Sequence, residues 1–199
     1  MADNFAKLNL GKRTVDDAPP GAREVLQQAQ QKIGMVPNMY AYMANAPGLL
    51  QTYMHGYELF RKNSGFTLAE QEVIFLSISF ENGCEYCMAA PSMLADTQSK
   101  VPPAVTEALR TGDHVPDERL RSLSEFTRTM VTGRGRPSEE DLQKFLNDGF
   151  TSEQVLQIVL AVGVKTFSNY ANHMCHTPVD AAFEHRKWTK PRSASHVAA

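Results

Sequence analysis

The stretch TLAEQEVIFLSISFENGCEYCMAAP, residues 67–91, decides the fold. Its opening Thr67-Leu-Ala-Glu70 reads as a capping box, in which a hydroxyl and a carboxylate three residues apart satisfy each other's backbone amides, so a helix starts at Leu68. Val73, Ile74, Phe75, Leu76, Ile78 and Phe80 then cover most of its circumference. A helix apolar on most sides belongs at the centre of a helical domain. Asn82-Gly83 breaks it, and a second helix is expected over 84–96 with Cys84 and Cys87 at its start.

The same punctuation recurs outward in both directions. A helix over Pro20–Ile33 stops at Gly34, and helices at 37–45 and Pro47–Asn63 each open on a proline, which suits a first turn because no N–H is needed there. Beyond the cysteines, helices are expected at 102–111, 116–132, 138–147 and 151–175, with Gly112, Gly133 and Gly149 between them, and a last one from Pro178. Strand signals are scarce. The class is therefore all-α: one helical domain over 19–188 of about nine to ten helices, between an N-terminal tail 1–18 and a C-terminal tail 189–199 that carry no visible chemistry.

A chain of 199 residues can bury a core unaided. A net charge of -2 with a pI near 6.3 gives no general attraction to phosphate backbones or anionic lipid, so neither nucleic acid nor a membrane is expected as a partner. The longest apolar run, 158–164, is far short of the roughly 20 residues that span a bilayer. No apolar core follows a basic head at the start, and three cysteines make no secreted disulfide framework, so a cytoplasmic location is expected.

Chemistry concentrates at Cys84-Glu-Tyr-Cys87. Two thiols three apart near a helix start can close a small disulfide ring, and free N–H groups there favour the thiolate that attacks peroxides and disulfides. The same spacing also fits half of a zinc site or two ordinary buried cysteines. Glu72 sits in an apolar run, where it is either a desolvated general base or a first-turn glutamate with an exposed edge. Cys175-His176 invites a metal reading with the pair, against the plainer one of a small buried hydrophobe. No metal and no organic cofactor is expected.

Glu72, Cys84 and Cys87 match the first three members of the pattern E-x(11)-C-x(2)-C-x(3)-H. On these residues, and on Asn169-Tyr-Ala-Asn172-His173 with Thr177-Pro-Val-Asp180, the chain from about 36 to 183 resembles the alkylhydroperoxidase D / carboxymuconolactone decarboxylase family. The resemblance implies an all-helical fold, trimeric or hexameric homo-oligomers, and reduction of organic hydroperoxides by a dithiol that a protein or lipoyl dithiol re-reduces. It further implies Cys87 as peroxidatic thiol, Cys84 as resolving thiol and Glu72 as relay base.

The family histidine is missing, because Pro91 stands in its place. Proline carries no proton, and in a helix from Cys84 it would leave the Cys87 carbonyl unpartnered. Either the helix kinks at the pair, or regular helix begins at Pro91 with the cysteines in the preceding turn. His173, four residues from Asn169 on a long amphipathic helix, is the candidate substitute, against the reading of a histidine bonded at a helix end or subunit contact. Two alternatives follow: a decarboxylase or isomerase of a small carboxylated lactone using Glu72 and His173, and a catalytically impaired redox-sensing or assembly protein.

Overall fold

The computed structural model describes residues 5–191, and the outermost parts of both expected tails, 1–4 and 192–199, lie outside the described residues. Nine α-helices follow in order among the described residues: α1 (Pro20–Ile33), α2 (Asn38–Met43), α3 (Pro47–Asn63), α4 (Leu68–Asn82), α5 (Glu85–Thr97), α6 (Pro103–Thr111), α7 (Glu118–Thr132), α8 (Glu139–Asn147) and α9 (Ser152–Cys175). The expected last helix is a single 3₁₀ segment, Ala181–Arg186, interrupted at Phe183. The class is all-α, as the punctuation implied.

The capping box forms: the Glu70 amide donates to Thr67 Oγ1 at 3.2 Å and the Thr67 amide to Glu70 Oε2 at 2.8 Å. Every residue from Glu70 to Phe80 is buried, so α4 is the central post. Gly83 closes it in the left-handed region (φ 67°), which only glycine adopts without a Cβ penalty, and the chain reverses into α5. Helices α5, α6, α7 and α9 pack on α4, while α3 lies along α9 and joins α1 and α2 to the bundle.

The apolar interior falls into two bodies. One surrounds α4 and the later helices, where the rings of Phe126, Phe145 and Phe150 stack at 4.1 and 4.3 Å. The other gathers Leu26, Met39, Met43, Leu50 and Tyr53 against Cys84 and Cys87. Tyr57 and Leu160 touch both bodies, and the cysteines belong to the second.

The described part of the N-terminal tail is attached to the bundle: the Leu8 amide donates to the Met174 carbonyl at 2.8 Å, the Arg13 amide to Ala41 at 2.9 Å, and Ala18 is buried. At the other end Trp188 is buried, and its indole N–H donates to the Arg110 carbonyl at 2.7 Å.

Regular helix begins at Glu85, one residue after Cys84, and runs on through Pro91, so a helix start at Pro91 is not adopted. The penalty is local. Pro91 has no N–H for the Cys87 carbonyl four residues earlier, while Ser92 and Arg110 tie the next turn, through Ser92 Oγ to the Met88 carbonyl at 2.7 Å and Arg110 Nη1 to Ser92 Oγ at 2.9 Å. Pro91→Ala restores the missing donor. An interior proline costs about 3 kcal/mol, of which roughly 1 kcal/mol returns through the freer unfolded chain, so the variant should gain about 2 kcal/mol in urea denaturation. A variant no more stable than the parent would mean that the carbonyl is satisfied without Pro91's help.

Candidate active site

Cys84 caps α5 and Cys87 is its third residue, so both sulfurs lie at the end of the helix where N–H groups lack partners. All three cysteines are free thiols, and Cys84 and Cys87 are both buried. The opposing wall is α9. Asn172 Nδ2 donates to Cys87 Sγ at 3.2 Å and lies 3.9 Å from Cys84 Sγ, and Ser168 Oγ is 3.8 Å from Cys87 Sγ. Asn82, at the end of α4, donates to Asn169 Oδ1 at 2.8 Å and so ties α9 to the turn that leads into Cys84.

The two thiols have opposite environments. Burial alone would push Cys87 up, but the hydrogen bond from Cys84, the Lys165 ammonium and the Ser168 and Asn169 side chains together hold it well below the ordinary thiol range. Burial, and then the shared hydrogen bond and charge of Cys87, push Cys84 up. The pair therefore ionises at Cys87 first, with Cys84 as the proton-bearing neighbour. The orientation of Asn172 agrees: its amide presents Nδ2 to sulfur while its Oδ1 is buried without a partner, an arrangement suited to an acceptor thiolate.

Tyr86, between the cysteines, anchors the same turn. Its hydroxyl donates to Asp180 Oδ2 at 2.5 Å, and Asp180 Oδ1 accepts from the Asn38 amide at 3.1 Å where α2 begins. Burial, then Asp180, pushes the phenol far above its usual range, so Tyr86 stays a donor.

Glu72 makes no hydrogen bond to either thiol. It is 1% exposed, and Oε1 pairs with Arg61 Nη1 at 2.7 Å and accepts from Ser99 Oγ at 3.2 Å, while Oε2 is buried without a partner. Arg61 also lies over the Tyr57 and Phe75 rings, at 5.0 and 4.7 Å from their centroids. His173 is not brought to Cys87 either: it is exposed and stacks on Tyr170 at 6.3 Å between centroids, although Asn169, one turn away, is buried. Cys175 is buried at the end of α9, and among the described residues no group of three His, Cys, Asp or Glu side chains could hold a metal ion.

Two contributors escaped the sequence reading, Lys165 and Ser168. Lys165 is 4% exposed, with its ammonium 5.4 Å from the Phe75 ring centroid. The signal was available: 165, 168, 169 and 172 repeat at i, i+3, i+4 and i+7 inside an otherwise apolar helix, which marks a polar stripe on one face.

This is the fold of alkylhydroperoxidase D-like proteins. An uncharacterized peroxidase-related protein from Ralstonia eutropha, described as an alkylhydroperoxidase AhpD core, superimposes with a TM-score of 0.78 at 22% identity over 87% of this chain and 93% of its own. A second uncharacterized peroxidase-related protein, from a Silicibacter species, gives 0.73 at 24% over 89% and 93%. The debrominase Bmp8, in complex with 2,3,4-tribromopyrrole, gives 0.72 at 17% over 90% and 96%. No family model and no curated protein matches the sequence.

Because Glu72 is matched to Arg61 and not to Cys87, Glu72→Gln should act on stability. Breaking a buried ion pair on one side leaves an uncompensated charge, at a cost of about 3 kcal/mol. Denaturant titration should show this loss, while the pH profile of Cys87 alkylation stays in place. A displaced profile at unchanged stability would return Glu72 to the role of relay base.

Proposed function

We propose that the chain is a thiol oxidoreductase that reduces hydroperoxides through Cys87 and Cys84. The observation that carries this reading is the asymmetry of the pair: a donor amide 3.2 Å from Cys87 and a neighbouring thiol whose proton is held more tightly. The Cys87 thiolate attacks the outer peroxide oxygen, so an S–O bond forms, the O–O bond breaks and the alkoxide leaves as an alcohol after taking a proton. Cys84 then attacks the Cys87 sulfenic acid, forming the disulfide and releasing water. A dithiol of a protein or a lipoyl group reduces the disulfide by exchange and is itself oxidised.

The naming of two structural neighbours as peroxidase-related supports hydroperoxide as the substrate class. No helix among the described residues is long and apolar enough to cross a membrane. Self-association belongs to the same reading: the outer face of α9 exposes Leu156, Val159, Phe167, Tyr170 and Met174, an apolar stripe suited to a second copy of the chain, which the particle mass in solution tests.

An organic hydroperoxide added in stoichiometric amount to the reduced protein should remove two hydrogens by intact mass and leave a Cys84–Cys87 bridge in the digest. Cys84→Ser should stall at a Cys87 sulfenic acid that dimedone traps, and Cys87→Ser should not react. If a brominated pyrrole oxidises the pair and hydroperoxide does not, the dithiol chemistry stands and the substrate class is wrong. If neither does, the enzyme reading fails.

A further inference from the structure

The buried face of α9 carries polar residues where a core helix should carry apolar ones. Lys165, Ser168, Asn169 and Asn172 all lie on it. Three have partners: Ser168 and Asn172 at Cys87, and Asn169 at Asn82. Lys165 differs. Its ammonium rests against the Phe75 ring and makes no ion pair among the described residues. A buried ammonium without a counter-charge is strongly disfavoured, so a lysine here keeps its proton only where an anion accompanies it.

The neighbouring carboxylates are already matched. Glu72, on α4, pairs with Arg61, and Asp180 is held by the Tyr86 hydroxyl and the Asn38 amide. Lys165 therefore has no carboxylate partner of its own, and the acidic groups that remain are the thiols of the pair, which Ser168 and Asn172 of the same stripe contact. We propose that Lys165 is the positioning residue that holds Cys87 as a thiolate, supplying from α9 the cation that the helix of the pair lacks.

This proposal rests on the dithiol reading and names how its nucleophile is made. The direction in which Cys87 is displaced agrees, with Lys165 a contributor after burial and Cys84. The other groups that face the pair do not titrate across the same range. Burial raises Tyr40 on α2, Tyr53 and Tyr57 on α3 and Tyr86 on α5, so all four stay neutral, and Arg61 stays charged. Cys84 is pushed the opposite way.

The test is a titration of Cys87 thiolate absorbance in full-length protein carrying Cys84→Ser and Cys175→Ser, with Lys165, Lys165→Met, Lys165→Gln or Lys165→Arg. Both neutral variants should move the midpoint up by about one pH unit or more, while arginine keeps it near the parent. In the otherwise unaltered chain, alkylation of Cys87 below both midpoints should slow only about three- to four-fold per unit, because the more basic thiolate is the better nucleophile. Should Lys165→Met fail to fold, Lys165→Gln, which keeps a polar group in place, gives the same reading. Neutral variants that titrate with the parent overturn the proposal, as does a parent midpoint in the ordinary thiol range. If peroxide still closes the Cys84–Cys87 bridge in that case, only the role of Lys165 falls, whereas absence of the bridge removes the dithiol reading itself.

Discussion

The amide of Asn172, 3.2 Å from the Cys87 sulfur, is the contact on which the candidate site depends. It joins the first turn of α5 to the last third of α9, 85 residues apart, and holds only if α9 lies close against its neighbours. Gly56 permits part of that approach: a Cβ there would meet Val164 Cγ2 at 2.8 Å, and valine is too stiff to move aside easily. Asn82 fixes α9 from the other side through Asn169, so the turn that presents Cys84 and the helix that receives Cys87 are set by one chain of hydrogen bonds.

Around that contact the fold tolerates groups a plain core would exclude. Pro91 withholds a helical N–H from the Cys87 carbonyl, Glu72 in the first half of α4 forms an ion pair with Arg61 of α3, and Asn172 Oδ1 and Asn169 Nδ2 are buried without partners. Such groups weaken a core and are retained where they serve a site. Asn172 and Asn169 fit that view, because they lie on the buried face of α9 that meets the pair.

Much of the architecture was legible because its signals are local. The capping box at Thr67, the break at Gly83 and the proline-led starts of α1 and α3 each act within one turn, and the helices begin and end within about two residues of the expected positions. The surroundings of the thiols were less legible because they are made by contacts distant in sequence. Glu72 reads as an unpaired carboxylate until Arg61 arrives from α3. His173 and Asn169 share a face by spacing, yet the buried arc of α9 runs through Lys165, Ser168 and Asn172 and leaves His173 outside it. A lysine in an apolar run reads as a side chain reaching for water. Only the packing of α3 and α4 over α9 shows that this one turns inward.

The claim at the centre of this account is that the pair is asymmetric, with Cys87 carrying the negative charge and Cys84 the proton. Substoichiometric alkylation of the reduced native protein at neutral pH, followed by peptide mapping, reads the asymmetry directly. The account predicts label on Cys87 well ahead of Cys84 and Cys175. Label on Cys84 first, or shared evenly between the two, would contradict it.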